Sequence, residues 1–211
     1  MSWSRNSDTR GYHHGNLKEA LMRATLDLIG EKGLVGVTFA EAARRAGVSA
    51  AAPYRHFRDR DELVAAVAAV GFERLAEALT AAWQDGRPAA AAAYERAGRA
   101  YLDFARRNPA EYAAMFESGL PAEGHEALQQ AGNRAFGVLR AAAEALVAQI
   151  PGPSRPPALM VALHTWALAH GVASLFGRAD GARRKLPMAP DELLEAAFLV
   201  YLKGLGAPSG S

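Results

Sequence analysis

Apolar residues return every three or four positions along most of this chain and nowhere alternate with polar ones over the length of a strand, so the pattern predicts helices throughout. Leu17, Leu21, Ala24 and Leu28 form the first stripe, inside HHGNLKEALMRATLDLIGEKG, and Gly33 can end that helix. Phe39, Ala42, Ala43 and Ala46 form a second, shorter one. Thr38 with Glu41 spells a capping box, in which the hydroxyl accepts a first-turn N–H and the Glu side chain reaches back to the cap amide. Gly47 permits the left-handed turn that stops this helix, and Val48 plugs the corner. Ser49 is a second N-cap, opening a helix from Ala50 to about His56 that ends against Phe57. A longer pattern runs from Asp61 to Trp83, with Asp61 and Glu62 suited to its positive N-terminal end. Gly86, Pro88, Pro109, Pro121, the PGPSRPP stretch from Pro151, and Pro187 with Pro190 divide the rest into helices near 88–107, 109–118, 123–149, 157–178 and 191–204. No repeat at a fixed period indicates a solenoid. The fold class is all-α, with a small N-terminal unit at 1–62, a larger helical domain at 63–205 and a tail at 206–211.

Residues 38–57, TFAEAARRAGVSAAAPYRHF, spell two short helices hinged at a glycine, the helix-turn-helix plan whose second member enters the major groove. At these residues the chain resembles the N-terminal domain of the TetR family of transcriptional regulators. The resemblance is close from Tyr12 to Leu63, through GVSAAAPYRHF and the run RDRDELV, and looser beyond, where WALAHG at 166–171 resembles a WHG-type C-terminal domain. It implies a homodimeric, ligand-responsive regulator of palindromic double-stranded DNA, a repressor rather than an activator, released by a small effector. Carried onto this sequence, the family pattern puts Ala50, Ala51 and Tyr54 at the bases. It puts Thr38, Ala52, Arg55, His56 and Arg60 against the DNA backbone, and Ser49 or Arg55 can add to base readout. Three consecutive alanines cannot hydrogen-bond a base, so readout rests on methyl contacts, on Tyr54 and on DNA shape. Pro53 falls at the fourth helical position, where its missing N–H deprives the Ser49 carbonyl of its helical partner, and it disfavours helical angles at Ala52.

Charge sharpens this division. The net charge is only +2, but residues 1–60 hold ten Lys/Arg against six Asp/Glu, so the basic excess lies with the helix-turn-helix. An N-terminal arm with Arg10, Tyr12, His13 and His14 is a further candidate for the DNA backbone; adjacent histidines diverge on a helix and make a poor metal site. Zero Cys excludes a disulfide framework and thiol catalysis. Met1 to Thr9 has no signal-peptide core, and no apolar run reads as long enough to cross a bilayer, so the expected compartment is the cytoplasm, with no membrane partner. No nucleotide, hydrolase or zinc-protease motif appears, so neither a cofactor nor an enzymatic activity is expected. The reading from another class is an all-α small-molecule-binding protein or enzyme without DNA specificity.

The helices at 157–178 and 191–204 are apolar nearly all round, which calls for two partners each. Leu168, Val172, Leu175, Phe198, Leu199 and Leu202 are the expected dimer face, by resemblance to the four-helix bundle of such regulators. Phe72, Tyr101, Phe104, Met115, Phe116, Phe136, Leu163, Trp166 and His170 are the expected effector pocket, suited to a mainly apolar ligand with His170 as its polar handle.

Overall fold

A computed structural model of the chain describes residues 17–151, 155–176 and 187–206, and among these every regular element is helical. The order is α1 (Leu17–Lys32), α2 (Phe39–Arg45), α3 (Arg60–Trp83), α4 (Ala90–Arg107), α5 (Pro109–Phe116), α6 (Glu126–Ala148), α7 (Ala158–Phe176) and α8 (Pro190–Gly204). Short 3₁₀ turns occupy Leu34–Gly36, Pro53–Arg55 and Gln84–Gly86. The periodic segments therefore fold as their patterns predict, with ends moved by one to three residues. Positions 177–178 of the seventh pattern and the tail beyond Gly206 lie outside the described residues.

α3 organises the molecule. It opens with an Asp59 cap, whose carboxylate accepts the Glu62 N–H at 2.8 Å, and runs for 24 residues. Its buried positions, from Leu63 and Val64 through Leu75 to Leu79, face α1 and then α4, α5 and α6. The expected division at 62/63 falls inside its first turn, so the two units share one rigid helix rather than a linker.

Two glycines set close approaches. A Cβ at Gly71 would lie 2.7 Å from the Met115 sulfur, which lets α5 settle on α3, and a Cβ at Gly98 would lie 2.5 Å from the Phe198 ring, which lets α8 settle on α4.

α7 corrects one expectation. Over its 19 residues it carries no charge, and its mean hydropathy of 1.5 makes it long and apolar enough to cross a membrane. Here it packs on α4, α6 and α8. Val161, Ala162, Thr165, Ala169, Val172 and Ala173 form its buried face. The buried Thr165 hydroxyl donates to the Val161 carbonyl at 2.8 Å and accepts from the Tyr94 hydroxyl at 2.6 Å; burial pushes that tyrosine up to about 12.

Candidate nucleic-acid interface and ligand cavity

The head is built on α2. Thr38 caps it, its hydroxyl accepting the Glu41 N–H at 3.2 Å. The reciprocal half of the capping box does not form. Glu41 instead takes the Lys32 ammonium at 2.6 Å and the Arg44 guanidinium at 2.8 Å, and these two cations hold its carboxyl down at about 2. Gly47, at φ 70°, closes the helix: its N–H reaches the Arg44 carbonyl and that of Val48 reaches the Ala43 carbonyl.

The segment after the turn is not the α-helix its pattern predicts. Residues 50–52 form a turn and Pro53–Arg55 a single 3₁₀ turn. The cause is Pro53, which has no N–H for the Ser49 carbonyl; that carbonyl accepts from Ala52 at 2.9 Å, and the tighter spacing propagates as Arg55 bonds Ala52 and His56 bonds Pro53. Ala52 keeps helical angles, φ −62° and ψ −40°, despite preceding a proline. Ser49 supplies no side-chain cap.

Ser49, Ala50, Ala51, Tyr54, Arg55, His56 and Thr38 are all exposed, as candidates for DNA contact must be. Tyr54 is 66% exposed, with its ring edge-on to Phe39 at 4.9 Å, which holds it beside the start of α2. Ala52 and Phe57 are buried, so Ala52 has no side chain to offer a backbone.

The cations separate into two kinds. Arg44, Arg45 and Arg58 are matched by Glu41, Glu31 and Glu62. Arg60 turns inward, donating to the carbonyls of Val37 at 2.9 Å and Leu34 at 2.8 Å and pairing with Asp61. Its guanidinium therefore has acceptors inside the head, and the expected phosphate contact would have to share it with these carbonyls. Arg55 has no acidic partner among the described residues. The arm with Arg10, Tyr12, His13 and His14 lies outside them.

In the larger domain a cavity of about 380 Å³ opens among α3, α4, α5, α6 and α7. Phe72, Tyr101, Phe116, Phe136 and Trp166 line it as expected, joined by Leu75, Leu79, Leu139 and, from α6, Gly132, Asn133 and Ala135. The other expected wall residues lie elsewhere. Met115 covers Gly71, Phe104 faces a separate surface groove with Arg74 and Arg107, and Leu163 points outward at 43% exposure. His170 stands behind the wall. Its Nδ1 meets the hydroxyls of Tyr101 at 3.0 Å and Tyr112 at 2.8 Å, and its ring lies 4.7 Å from that of Phe116. Burial lowers its proton affinity and pushes the Tyr101 hydroxyl far up. A polar group on the wall besides Tyr101 and Trp166 is Asn133, which the sequence reading missed. A glycine beside it in mid-helix was the available signal, since such a glycine weakens a helix and calls for a reason.

The expected dimer face also divides. Val172, Phe198 and Leu202 are buried within the chain and Leu168 is half-buried, whereas Leu175 and Leu199 face out at 54% and 48% exposure. Leu159, Met160, Leu163 and Val200 join them on the outside. The inversion has a simple cause: the inner face of α7 uses small residues, so that α4 and α6 can come close, and leaves the large ones outside.

A capped helix, glycine turn and exposed segment on a small helical head, carried by a bundle with an internal cavity, is the build of a DNA-binding regulator. Residues 94–200 match the family model described as Tetracyclin repressor-like, C-terminal domain, and residues 21–67 match Bacterial regulatory proteins, tetR family. The chain belongs to the TetR family, whose members are DNA-binding transcriptional regulators that act as dimers. Among solved structures it is similar to a protein of unknown function from Rhodococcus sp. RHA1, 33% identical, with 93% of this chain and 99% of that chain covered and a TM-score of 0.77. It shares its fold with the TetR family transcriptional regulator PfmR from Thermus thermophilus, at 21% identity, coverage of 88% and 98%, and a TM-score of 0.67. A bacterial regulatory protein in the tetR family from Rhodococcus RHA1 is similar at 19% identity, coverage of 91% and 98%, and a TM-score of 0.67. The search of curated proteins gives no match.

Proposed function

We propose that this chain is a cytoplasmic, homodimeric repressor that grips a palindromic operator through Thr38, Ser49, Ala50, Ala51, Tyr54, Arg55 and His56, and lets go when a small, mainly apolar effector fills the α3–α7 cavity. The observation that carries the reading is the placement of α3. Its first residue, Arg60, is stapled to the carbonyls of Leu34 and Val37 in the head, and Phe72, Leu75 and Leu79, farther along the same helix, line the cavity. A ligand that binds better to a shifted α3 therefore favours a displaced head; without such a difference in affinity between the two states no release follows. Two heads on a two-fold dimer meet half-sites on the order of 34–36 Å apart. Arg55 supplies phosphate attraction, and Tyr54 with the alanine methyls supplies the modest direct readout. No catalytic step and no cofactor are assigned.

The test is selection of bound sites from random duplex DNA, followed by release with a metabolite extract. An inverted repeat of half-sites one helical turn apart, and loss of binding with the extract, is the expected result. Enrichment of no sequence removes the operator reading, and retention of DNA with every extract removes the effector.

A further inference from the structure

The cavity also carries information about what enters it. Its deep wall is aromatic and aliphatic, and its polar atoms there are already engaged. The Tyr101 hydroxyl is directed at His170 Nδ1, where the Tyr112 hydroxyl converges as well. The single lone pair of Nδ1 takes a proton from one of these hydroxyls, which puts the ring proton on Nε2 and leaves the imidazole neutral, the form that its burial favours. No Lys, Arg, Asp or Glu lines the cavity among the described residues. A charge placed in it would lose its hydration with nothing to replace it.

The rim differs. Asn133 on α6 is exposed, lines the cavity, and makes no hydrogen bond to another described residue, so an amide donor pair and a carbonyl acceptor stand at the mouth. Its neighbour Gly132 leaves room, since a Cβ there would meet nothing within 4 Å. The next residue, Arg134, has its charge matched by Glu73 of α3. It adds no net attraction for an anion.

Resting on the effector reading above, we infer that the ligand is an uncharged amphiphile that enters apolar end first, fills the aromatic depth, and leaves one hydrogen-bonding group at Asn133. An amide, ester or alcohol head fits this wall. A free carboxylate finds only the amide donors there and an ammonium only the carbonyl acceptor, with no counter-ion on the wall for either.

The experiment titrates three ten-carbon probes that differ only in the head, decanamide, decanoate and decylammonium, into the full-length protein by calorimetry, with release of the selected operator followed in parallel. Decanamide binds at least tenfold more tightly than either charged probe. Asn133→Ala weakens the amide about fivefold, a change that fits one lost hydrogen bond, and leaves the charged probes nearly unmoved. Gly132→Leu, checked for an unchanged melt, abolishes amide binding by filling the cavity. Binding of either ion as tight as the amide, amide binding indifferent to both variants, or no amide binding at all overturns the inference. An ion that binds and releases operator sinks the ligand class while leaving the effector reading intact. An amide that obeys both variants without touching DNA sinks the effector reading instead.

Discussion

At the residue scale, two arginines with the same expected role come apart. Arg60 makes two charged hydrogen bonds to backbone carbonyls of the head, whereas Arg55 is exposed with no acidic partner among the described residues. Arg60→Ala should therefore cost the fold about 2 kcal/mol, because each such bond is substantial and both carbonyls lose a partner. Arg55→Ala should leave stability within about 0.5 kcal/mol and reduce the salt dependence of DNA binding by about one unit. Urea titrations and binding isotherms at several salt concentrations read the two effects; a stability loss at Arg55 and none at Arg60 would reverse the assignment. His170 gives a pH dependence. Native burial resists its protonation while the unfolded imidazole titrates near 6.5, so unfolding takes up a proton below that pH. Stability is fully present above 6.5 and declines as pH falls through it. His170→Asn should flatten this limb in melts across pH 2 to 8 while leaving the acid limb of Glu41, which lies between the ordinary value of 4.5 and about 2, in place.

Elements were more legible than faces. Every long periodic run became a helix, because the 3.6-residue repeat, the cap at Thr38, the acidic pair Asp61 and Glu62 and the breaks at Pro109 and Pro190 all speak about local chain geometry. The reading segment escaped, since Ser49 as a cap argued for a helix and Pro53 argued against one, and the missing N–H won. Which way α7 faces also escaped. Its outer stripe is the bulkier one, and only the nearness of α4 and α6 explains why alanine and threonine lie inside. The apolar pattern alone puts Leu163 on the cavity wall, whereas it faces out, and it does not single out Asn133. The same logic makes one substitution act in opposite directions in two helices. Gly98→Ala should destabilise by about 1–3 kcal/mol, because its methyl would meet the Phe198 ring and push α8 from α4. Gly132→Ala meets open space and should stabilise by up to about 1 kcal/mol through helix propensity alone. Thermal melts of the pair decide it, and equal shifts of one sign would show that the close approach at Gly98 is absent.

For the whole molecule, the question is what covers the outside of α7 and α8. Leu159, Leu163, Leu175, Leu199 and Val200 expose more apolar side chain there than scattered surface residues require, and the family acts through dimers. A two-fold contact would pair these helices with their copies and present two heads on one side of the assembly. The burial pattern then separates two kinds of variant. Leu199→Glu and Leu175→Glu change residues that are free in one chain, so each should leave the melt of the isolated fold nearly unchanged while placing a charge in the interface and shifting the protein toward monomer. Val172→Glu and Phe198→Glu put a charge into the chain's own core and should unfold it instead. Sedimentation and circular dichroism on the four variants distinguish the outcomes. Operator binding should fall steeply in the folded monomers, because one head engages one half-site and loses the second contact that the dimer supplies at high effective concentration. A Leu199→Glu protein that stays dimeric and keeps its operator would move the interface off this face.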